Sequence, residues 1–296
     1  MSAKMILALL AGAAMATTVH AAGIEVINDK AAFPEGPAYV DGKLLYVEYG
    51  GNTILSWDGA ANTKLWELAG CGPSAVAPLG EDLAVTCYDN GSIVRVAKDG
   101  TTVATYDKVD DGSPLQGPND LASDGKGGLY FTASGPWESA PIVGKVFHLS
   151  VDGTIRPVAD DLHYANGLVL SGDGKRLMVN ESEAGRVISF AVGEDGTLSD
   201  RRLFVRVGAV DEASGFGAYP DGIKLGPDGN YYIGQYSTGR IVVVDKDGKL
   251  ARVIEVPSPT APNLAFAPDG KAIYVMSVDD TANAPYWGKV YKVPLD

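Results

Sequence analysis

The chain has 296 residues and a formal net charge of −13 at pH 7, with 46% hydrophobic and 21% charged residues. This composition is typical of a globular protein, and the length is sufficient for one large domain or two ordinary ones. The acidic balance argues against a nucleic-acid partner, which requires a basic face, and against an anionic membrane surface. With 2 Cys and 3 His residues, the chain cannot form a four-cysteine zinc site or an iron–sulfur cluster.

The first 21 residues have the pattern of a secretory signal peptide. Lys4 provides a short positive start, Met5–Ala16 is an apolar run, and Val19–Ala21 ends in a small residue. The apolar run is shorter than the roughly 20 residues that a membrane span needs. We therefore expect cleavage after Ala21, a single domain over residues 22–296, and a periplasmic or secreted protein without a membrane anchor.

The two cysteines belong to the same part of the chain. Cys71 and Cys87 are 16 residues apart. An exported protein can form a disulfide bond, but two buried thiols that act as small apolar side chains fit the same spacing. The sequence leaves both alternatives open.

One sequence pattern recurs six times along the chain. Each copy has a polar residue, an alternating apolar run, a tight turn that usually contains Asp-Gly, and a second apolar run. Asp-Gly between two apolar runs predicts a β-hairpin, because glycine adopts the positive φ that the turn requires. Turn chemistry, and not metal binding, explains the Asp residues of these turns. The copies begin at Glu35, Ser74, Asn119, Asn166, Asp221 and Asn263.

A second hairpin follows most copies, so each repeat supplies about four strands in roughly 40–55 residues, the size of a propeller blade. No stretch has a long helical period. We therefore predict an all-β, six-bladed β-propeller with four-stranded blades. Because an open ring leaves an unpaired strand edge, we expect Ile24–Ile27 to add the outer strand of the last blade and to close the ring.

The polar residues that begin the six copies precede the innermost strands, and in a propeller these positions converge on one mouth of the central channel. Carboxylate and amide oxygens are ligands of hard cations, and calcium accepts irregular oxygen sites better than magnesium does. Glu35 and Asp221 together match the charge of one divalent ion. The alternative is that these polar residues only cap strand ends around a water-filled channel. The glycines that follow three of them favour a shared ligand, because they let the backbone approach it closely.

Four motifs carry a resemblance to a known family: Glu35-Gly36-Pro37, Pro118-Asn119-Asp120, Ala165-Asn166-Gly167 and Pro220-Asp221-Gly222. Over about residues 33–293, the chain resembles the gluconolactonase, regucalcin (senescence marker protein) and diisopropyl fluorophosphatase family of six-bladed propellers. The resemblance implies a channel calcium ion, or another divalent cation. The implied ligands are Glu35, Asn119, Asn166 and Asp221.

This resemblance implies a hydrolase of small cyclic esters, that is, sugar or other lactones, in which the cation polarises the substrate carbonyl. Asp221 is then the candidate general base or nucleophile. Asp120 is a candidate to orient Asn119 or a water molecule, and Asn263 and Trp137 are further candidates for the substrate pocket or its support.

Two other functions stay open at this point. A phosphotriesterase or fluorophosphatase would use the same ion and carboxylate, although the last repeat lacks the pocket histidine of the fluorophosphatase. A secreted ligand-binding propeller would carry a purely structural calcium. Of the histidines, His148 lies in an apolar strand and is expected to be structural, and His163 is a weaker pocket candidate. No protein partner is implied.

Overall fold

A computed structural model describes residues 17–20, 23–136, 142–215 and 218–295. Trp137 and most of the predicted signal peptide lie outside these ranges. Two strands, β1 (Thr17–His20) and β2 (Glu25–Ala32), precede the first repeat.

Each of the first five repeats then folds as one blade of four antiparallel strands, and the sixth repeat supplies three strands of the last blade. Blade 1 contains β3 (Pro34–Val40), β4 (Lys43–Glu48), β5 (Thr53–Trp57) and β6 (Asn62–Glu67). Blade 2 contains β7 (Pro73–Leu79), β8 (Asp82–Cys87), β9 (Ser92–Val96) and β10 (Thr102–Tyr106). Blade 3 contains β11 (Pro118–Ser123), β12 (Leu129–Ala133), β13 (Gly144–Leu149) and β14 (Ile155–Leu162).

The second half of the ring follows the same plan. Blade 4 contains β15 (Ala165–Leu170), β16 (Arg176–Glu181), β17 (Arg186–Val192) and β18 (Leu198–Arg206). Blade 5 contains β19 (Pro220–Leu225), β20 (Tyr231–Gln235), β21 (Arg240–Val244) and β22 (Leu250–Glu255). Blade 6 contains β23 (Asn263–Phe266), β24 (Ala272–Val278) and β25 (Trp287–Pro294).

The fourth strand of blade 6 comes from the start of the chain. Strand β2 pairs with β25 in antiparallel register, from Glu25 opposite Lys292 to Ala32 opposite Trp287. This confirms the predicted closure of the ring and the six-bladed propeller fold. Strand β1 pairs with β22 in parallel and adds a fifth strand to the sheet of blade 5.

The hydrophobic core lies between neighbouring blades, so both faces of a blade are covered. In β21, Val242, Val243 and Val244 are all fully buried. Val242 and Val244 pack in one cluster with residues of blade 4, whereas Val243 packs in another with residues of blade 6. A strand buried on both faces is therefore a continuous apolar run and not an alternating one.

Helical structure within the described residues is limited to α1 (Val207–Val210) and two 3₁₀ turns, at Ser182–Ala184 and Glu212–Ser214. None of these is long enough and apolar enough to cross a membrane.

The two cysteines form a disulfide bond, so the structure decides between the alternatives that the sequence left open. Cys71 lies in the connection that enters blade 2, and Cys87 is the last residue of β8. Both side chains are fully buried. The bond closes a short loop within a single blade and ties that connection to the second strand.

We expect that replacing both cysteines (Cys71→Ala with Cys87→Ala) lowers the free energy of unfolding by about 3 kcal/mol, because the bond restricts a short loop of the unfolded chain. Urea unfolding of the oxidised wild type, the reduced wild type and the double variant measures this difference. Two free thiols in the denatured, unreduced protein would contradict the assigned bond.

Candidate functional site

The innermost strands are irregular where the sequence motifs begin. In β3, β11, β15 and β19, the pairing register with the second strand shifts within the motif. Such a bulge re-aims a side chain that a regular ladder would direct between the blades. Strand β7 has a similar shift next to Ser74, whereas β23 pairs regularly from Asn263 onward.

The re-aimed side chains meet in one cavity of about 270 Å³ at the channel mouth. Five of the six residues that begin the repeats line it, which are Glu35, Ser74, Asn119, Asn166 and Asp221. The sixth, Asn263, is 2% exposed and lies behind Glu35. Hereafter Glu35, Asn119, Asn166 and Asp221 are called the channel quartet.

Glu35 is held by two donors through a single oxygen. Its Oε2 accepts hydrogen bonds from the Gly36 backbone N–H (2.6 Å) and from Asn263 Nδ2 (2.9 Å). Its Oε1 is buried and has no hydrogen-bond partner. Burial is the main reason why the pKa of Glu35 rises to about 7. The Oε1 atom of this buried acid can therefore accept a bond from a ligand, because no protein group occupies it.

The two amides of the channel quartet are fixed by serines. Asn119 Nδ2 donates to Ser134 Oγ (2.9 Å), which donates to the Ala165 carbonyl (2.6 Å). Asn166 Nδ2 likewise donates to Ser182 Oγ (3.2 Å), and Ser182 donates onward to a carbonyl of the next blade. Because each NH₂ group is engaged by a serine, the amide oxygens remain as acceptors for a ligand.

The second carboxyl group belongs to Asp221 on β19. Burial raises its pKa well above the usual value, and the nearby charge of Glu35 raises it further. Two acids that disfavour each other's ionised form are suited to a shared cation.

No group of three or more His, Cys, Asp or Glu side chains converges within the described ranges. The donor set is instead two carboxylates and two amides, together with the unpartnered Oε1 of Glu35, and it fits a hard divalent cation.

Three glycines of the motifs permit the inner strands to approach each other. A Cβ atom on Gly36 would lie 2.1 Å from the Ala75 Cα, and one on Gly167 would lie 2.2 Å from the Asp221 carbonyl oxygen. On Gly222, it would lie 2.2 Å from the side chain of Asn263. The glycines are therefore needed for contact between neighbouring blades, a role that the sequence did not suggest.

Aromatic side chains that the sequence analysis missed form the walls of the cavity. Phe33 stacks on Tyr236 with ring centroids 6.0 Å apart and meets Tyr49 and Tyr286 edge-on at 5.3 and 5.8 Å. Among the residues that the structure describes, the aromatic lining is Phe33, Tyr49, Tyr88, Tyr164, Tyr236 and Tyr286.

Several of these residues occupy the same position in their repeats, directly after the second strand of the blade. Tyr49, Tyr88 and Tyr236 each directly follow the second strand of their blade, as Ser134 and Ser182 do in blades 3 and 4. In all five blades, the backbone N–H of this residue donates to a carbonyl just ahead of the inner strand. Alignment of the repeats on the end of the second strand, as well as on the start of the first, would have identified them.

Three other candidates from the sequence lie outside the cavity lining. Asp120 is buried and forms an ion pair with Lys224 (3.4 Å), whereas Ser134 orients the Asn119 amide. His148 lies in β13 and contacts Asp124 (2.9 Å). The backbone N–H of His163 donates to the Glu181 carboxylate, and the His163 Nε2 is buried without a hydrogen-bond partner.

Residues 33–279 match the family described as SMP-30/Gluconolactonase/LRE-like region. The chain belongs to this family. A relative from Staphylococcus aureus, named lactonase Drp35, is 27% identical over 220 residues, which are 70% of this chain and 65% of that protein. The match to this relative thus spans less than two thirds of the relative's length.

Two solved structures share the SMP-30/gluconolactonase-like fold. XC5397 from Xanthomonas campestris, described as a gluconolactonase, has a TM-score of 0.76 at 24% identity and covers 92% of this chain and 89% of that one. Regucalcin from Agrobacterium tumefaciens, described as a calcium-binding protein, has a TM-score of 0.78 at 17% identity, with coverages of 94% and 95%. At these identities, the likeness shows the fold.

We expect Gly222→Ala to destabilise the protein by about 1–3 kcal/mol, because the new methyl group overlaps Asn263 in a packed channel. Gly172→Ala is a matched control, since its Cβ would meet only Leu225 at 3.6 Å, and it should change stability by less than about 0.5 kcal/mol. Urea unfolding compares the two variants. Equal stabilities would contradict the close approach of the blades.

Proposed function

We propose that this protein is a metal-dependent lactonase that hydrolyses small, neutral cyclic esters in the cavity at the channel mouth. The observation that carries the proposal is the convergence of two carboxylates and two serine-fixed amides from four blades, with Glu35 Oε1 left without a partner. Membership of the family and the names of its lactonase and gluconolactonase relatives support the same reaction class.

Calcium is the cation that we propose for this site. Glu35, Asn119, Asn166 and Asp221 would hold it through oxygen atoms alone, which is the ligand type that calcium prefers. The two carboxylates would balance its charge in a buried position. The description of a structural neighbour as a calcium-binding protein is consistent with this choice.

The channel quartet would hold a divalent cation, which would supply Lewis-acid polarisation of a substrate carbonyl. Asp221 would either take a proton from the water that attacks the carbonyl carbon or attack that carbon itself. In both cases the ring C–O bond breaks and the alcohol oxygen gains a proton. After direct attack, water also cleaves the acyl–Asp221 bond, so the overall addition of one water gives a hydroxy acid and regenerates Asp221. The serines behind Asn119 and Asn166 keep the amides from rotating during this step.

The aromatic walls determine which substrates fit. The faces of Phe33, Tyr236 and Tyr286 offer apolar surface to a small ring and exclude water from the ester. No Lys, Arg or His side chain is among the described residues that line the cavity. The described lining therefore offers no protein cation to an anionic substrate, and we expect neutral lactones.

Export is a further part of the proposal. The N-terminal sequence pattern supports a periplasmic or secreted protein. The disulfide bond between Cys71 and Cys87 is consistent with an oxidising compartment.

We expect the purified protein to hydrolyse members of a panel of sugar and aliphatic lactones in the presence of calcium, and to lose at least about 100-fold of this activity with a chelator, since the cation contributes several kcal/mol to the reaction. Added calcium should restore the activity. A pH-stat assay measures acid release from each lactone, and a phosphotriester panel is run in parallel.

The matched variants are Asp221→Asn and Asp247→Asn, which replace a cavity residue and a 56% exposed aspartate of the same blade. The first should lose at least about 100-fold in kcat/KM, and the second should retain wild-type activity. Full lactonase activity in Asp221→Asn would refute the role of that carboxylate. Turnover of phosphotriesters alone would replace the lactonase proposal, and calcium-dependent melting without any turnover would favour a ligand-binding propeller.

A further inference from the structure

A buried ion pair lies beside the channel quartet. Asp120 Oδ2 and Lys224 Nζ are 3.4 Å apart, with side-chain exposures of 4% and 20%. Asp120 directly follows Asn119 on β11 of blade 3, and Lys224 lies three residues after Asp221 on β19 of blade 5. Because blade 4 separates these two blades in the ring, the pair joins inner strands that are not neighbours and therefore spans the channel.

The hydrogen bonds of Asp120 do not reach the channel quartet, so Asp120 affects the site mainly through its charge. Its Oδ1 accepts a hydrogen bond from the backbone N–H of Leu121 (2.8 Å), and its own N–H donates to Thr132 Oγ1 (3.1 Å). Neither contact reaches the Asn119 amide, which Ser134 orients.

The carboxylates of this region carry more charge than one divalent ion balances. Glu35, Asp221 and Asp120 would bring three negative charges to the channel. The charge of Asp120 raises the pKa of both Glu35 and Asp221, whereas the charge of Lys224 lowers both, so the ion pair lies close enough to act on the two carboxyl groups of the channel quartet. With Lys224 included, three carboxylates and one ammonium have a net charge of −2.

We infer that Lys224, paired with Asp120, sets the charge of the channel so that it matches a divalent cation. Lys224 is a positioning residue that acts through the electrostatic field and does not contact the ion. This inference rests on the proposed metal site, but it concerns the ion's charge and not the reaction. It predicts that removal of Lys224 favours a more highly charged ion, whereas removal of the Asp120 charge weakens binding of any cation.

The test is a double-mutant cycle of the full chain: wild type, Lys224→Met, Asp120→Asn and the double variant. Calcium affinity is measured by titration calorimetry. Affinity for the trivalent ion Tb³⁺ is measured by luminescence that the cavity tyrosines sensitise. Both measurements are independent of catalysis.

We expect Asp120→Asn to weaken calcium binding at least about tenfold, and Lys224→Met to increase the preference for Tb³⁺ over calcium at least about tenfold. The double variant restores the net charge without restoring the ion pair, so its calcium Kd should return to within about threefold of wild type. If the pair had only a structural role, the double variant would bind calcium no better than the weaker of the two single variants.

Two controls keep the result interpretable. Lys224→Arg retains the charge and should retain wild-type affinities even if Asp120→Asn folds poorly. Lys246→Met removes an 80% exposed lysine of the same blade and should change neither affinity. An unchanged ion preference in Lys224→Met, or no recovery in the double variant, would overturn the inference. Absence of calcium and Tb³⁺ binding by the wild type would instead refute the metal site of the proposed function.

Discussion

The mutual repulsion of two carboxyl groups in a shared cavity is the constraint on which the rest of this site depends. Glu35 and Asp221 belong to blades 1 and 5 and are about 190 residues apart. Burial raises the pKa of both, and the charge of Glu35 raises the pKa of Asp221 further. In a flexible fold, the two carboxyl groups would move apart. The propeller prevents this, because strand β2 closes the ring and fixes the blades around one axis.

The surrounding residues are consistent with a site that is built before its ligand arrives. Asn263 holds one oxygen of Glu35 and leaves the other free, while Ser134 and Ser182 each hold the NH₂ group of one amide. Glycines at the start of the inner strands let neighbouring blades approach closely. The Asn263–Glu35 bond and the onward bonds of Ser134 and Ser182 to backbone carbonyls then join one blade to the next. Such rigid support costs little reorganisation when a cation or a charged transition state appears.

The sequence predicted the architecture well because the fold is a repeat of a local signal. Six hairpins, five of them with Asp-Gly turns, define six blades without any knowledge of long-range contacts. The polar residue that begins each copy indicates the channel, although it lies at the start of the inner strand itself and not ahead of it as the sequence suggested. The sequence did not distinguish whether Asn263 lines the cavity or supports a residue that lines it. In the structure, β23 pairs regularly from Asn263 onward and lacks the bulge found in the other inner strands. That difference depends on a bulge, which the residue types alone do not reveal.

The aromatic walls and the Asp120–Lys224 pair were harder to predict for a related reason. Tyr49 and Tyr236 come from blades 1 and 5, and their contacts through Phe33 exist only once the ring is closed. The sequence made Asp120 a candidate to orient Asn119 or a water molecule, because it is adjacent to Asn119. It did not reveal the ion-pair partner of Asp120, which is 104 residues away, since a lysine within an apolar strand gives no indication of which carboxylate it meets.

The most direct test of this account is a crystal structure of the protein grown in calcium, with anomalous scattering used to identify the ion. We predict one calcium ion at the channel mouth, with oxygen atoms of Glu35, Asn119, Asn166 and Asp221 at about 2.3–2.6 Å, including the Oε1 of Glu35 that has no partner within the protein. A water molecule at this position in saturating calcium, or an ion bound elsewhere, would contradict the account.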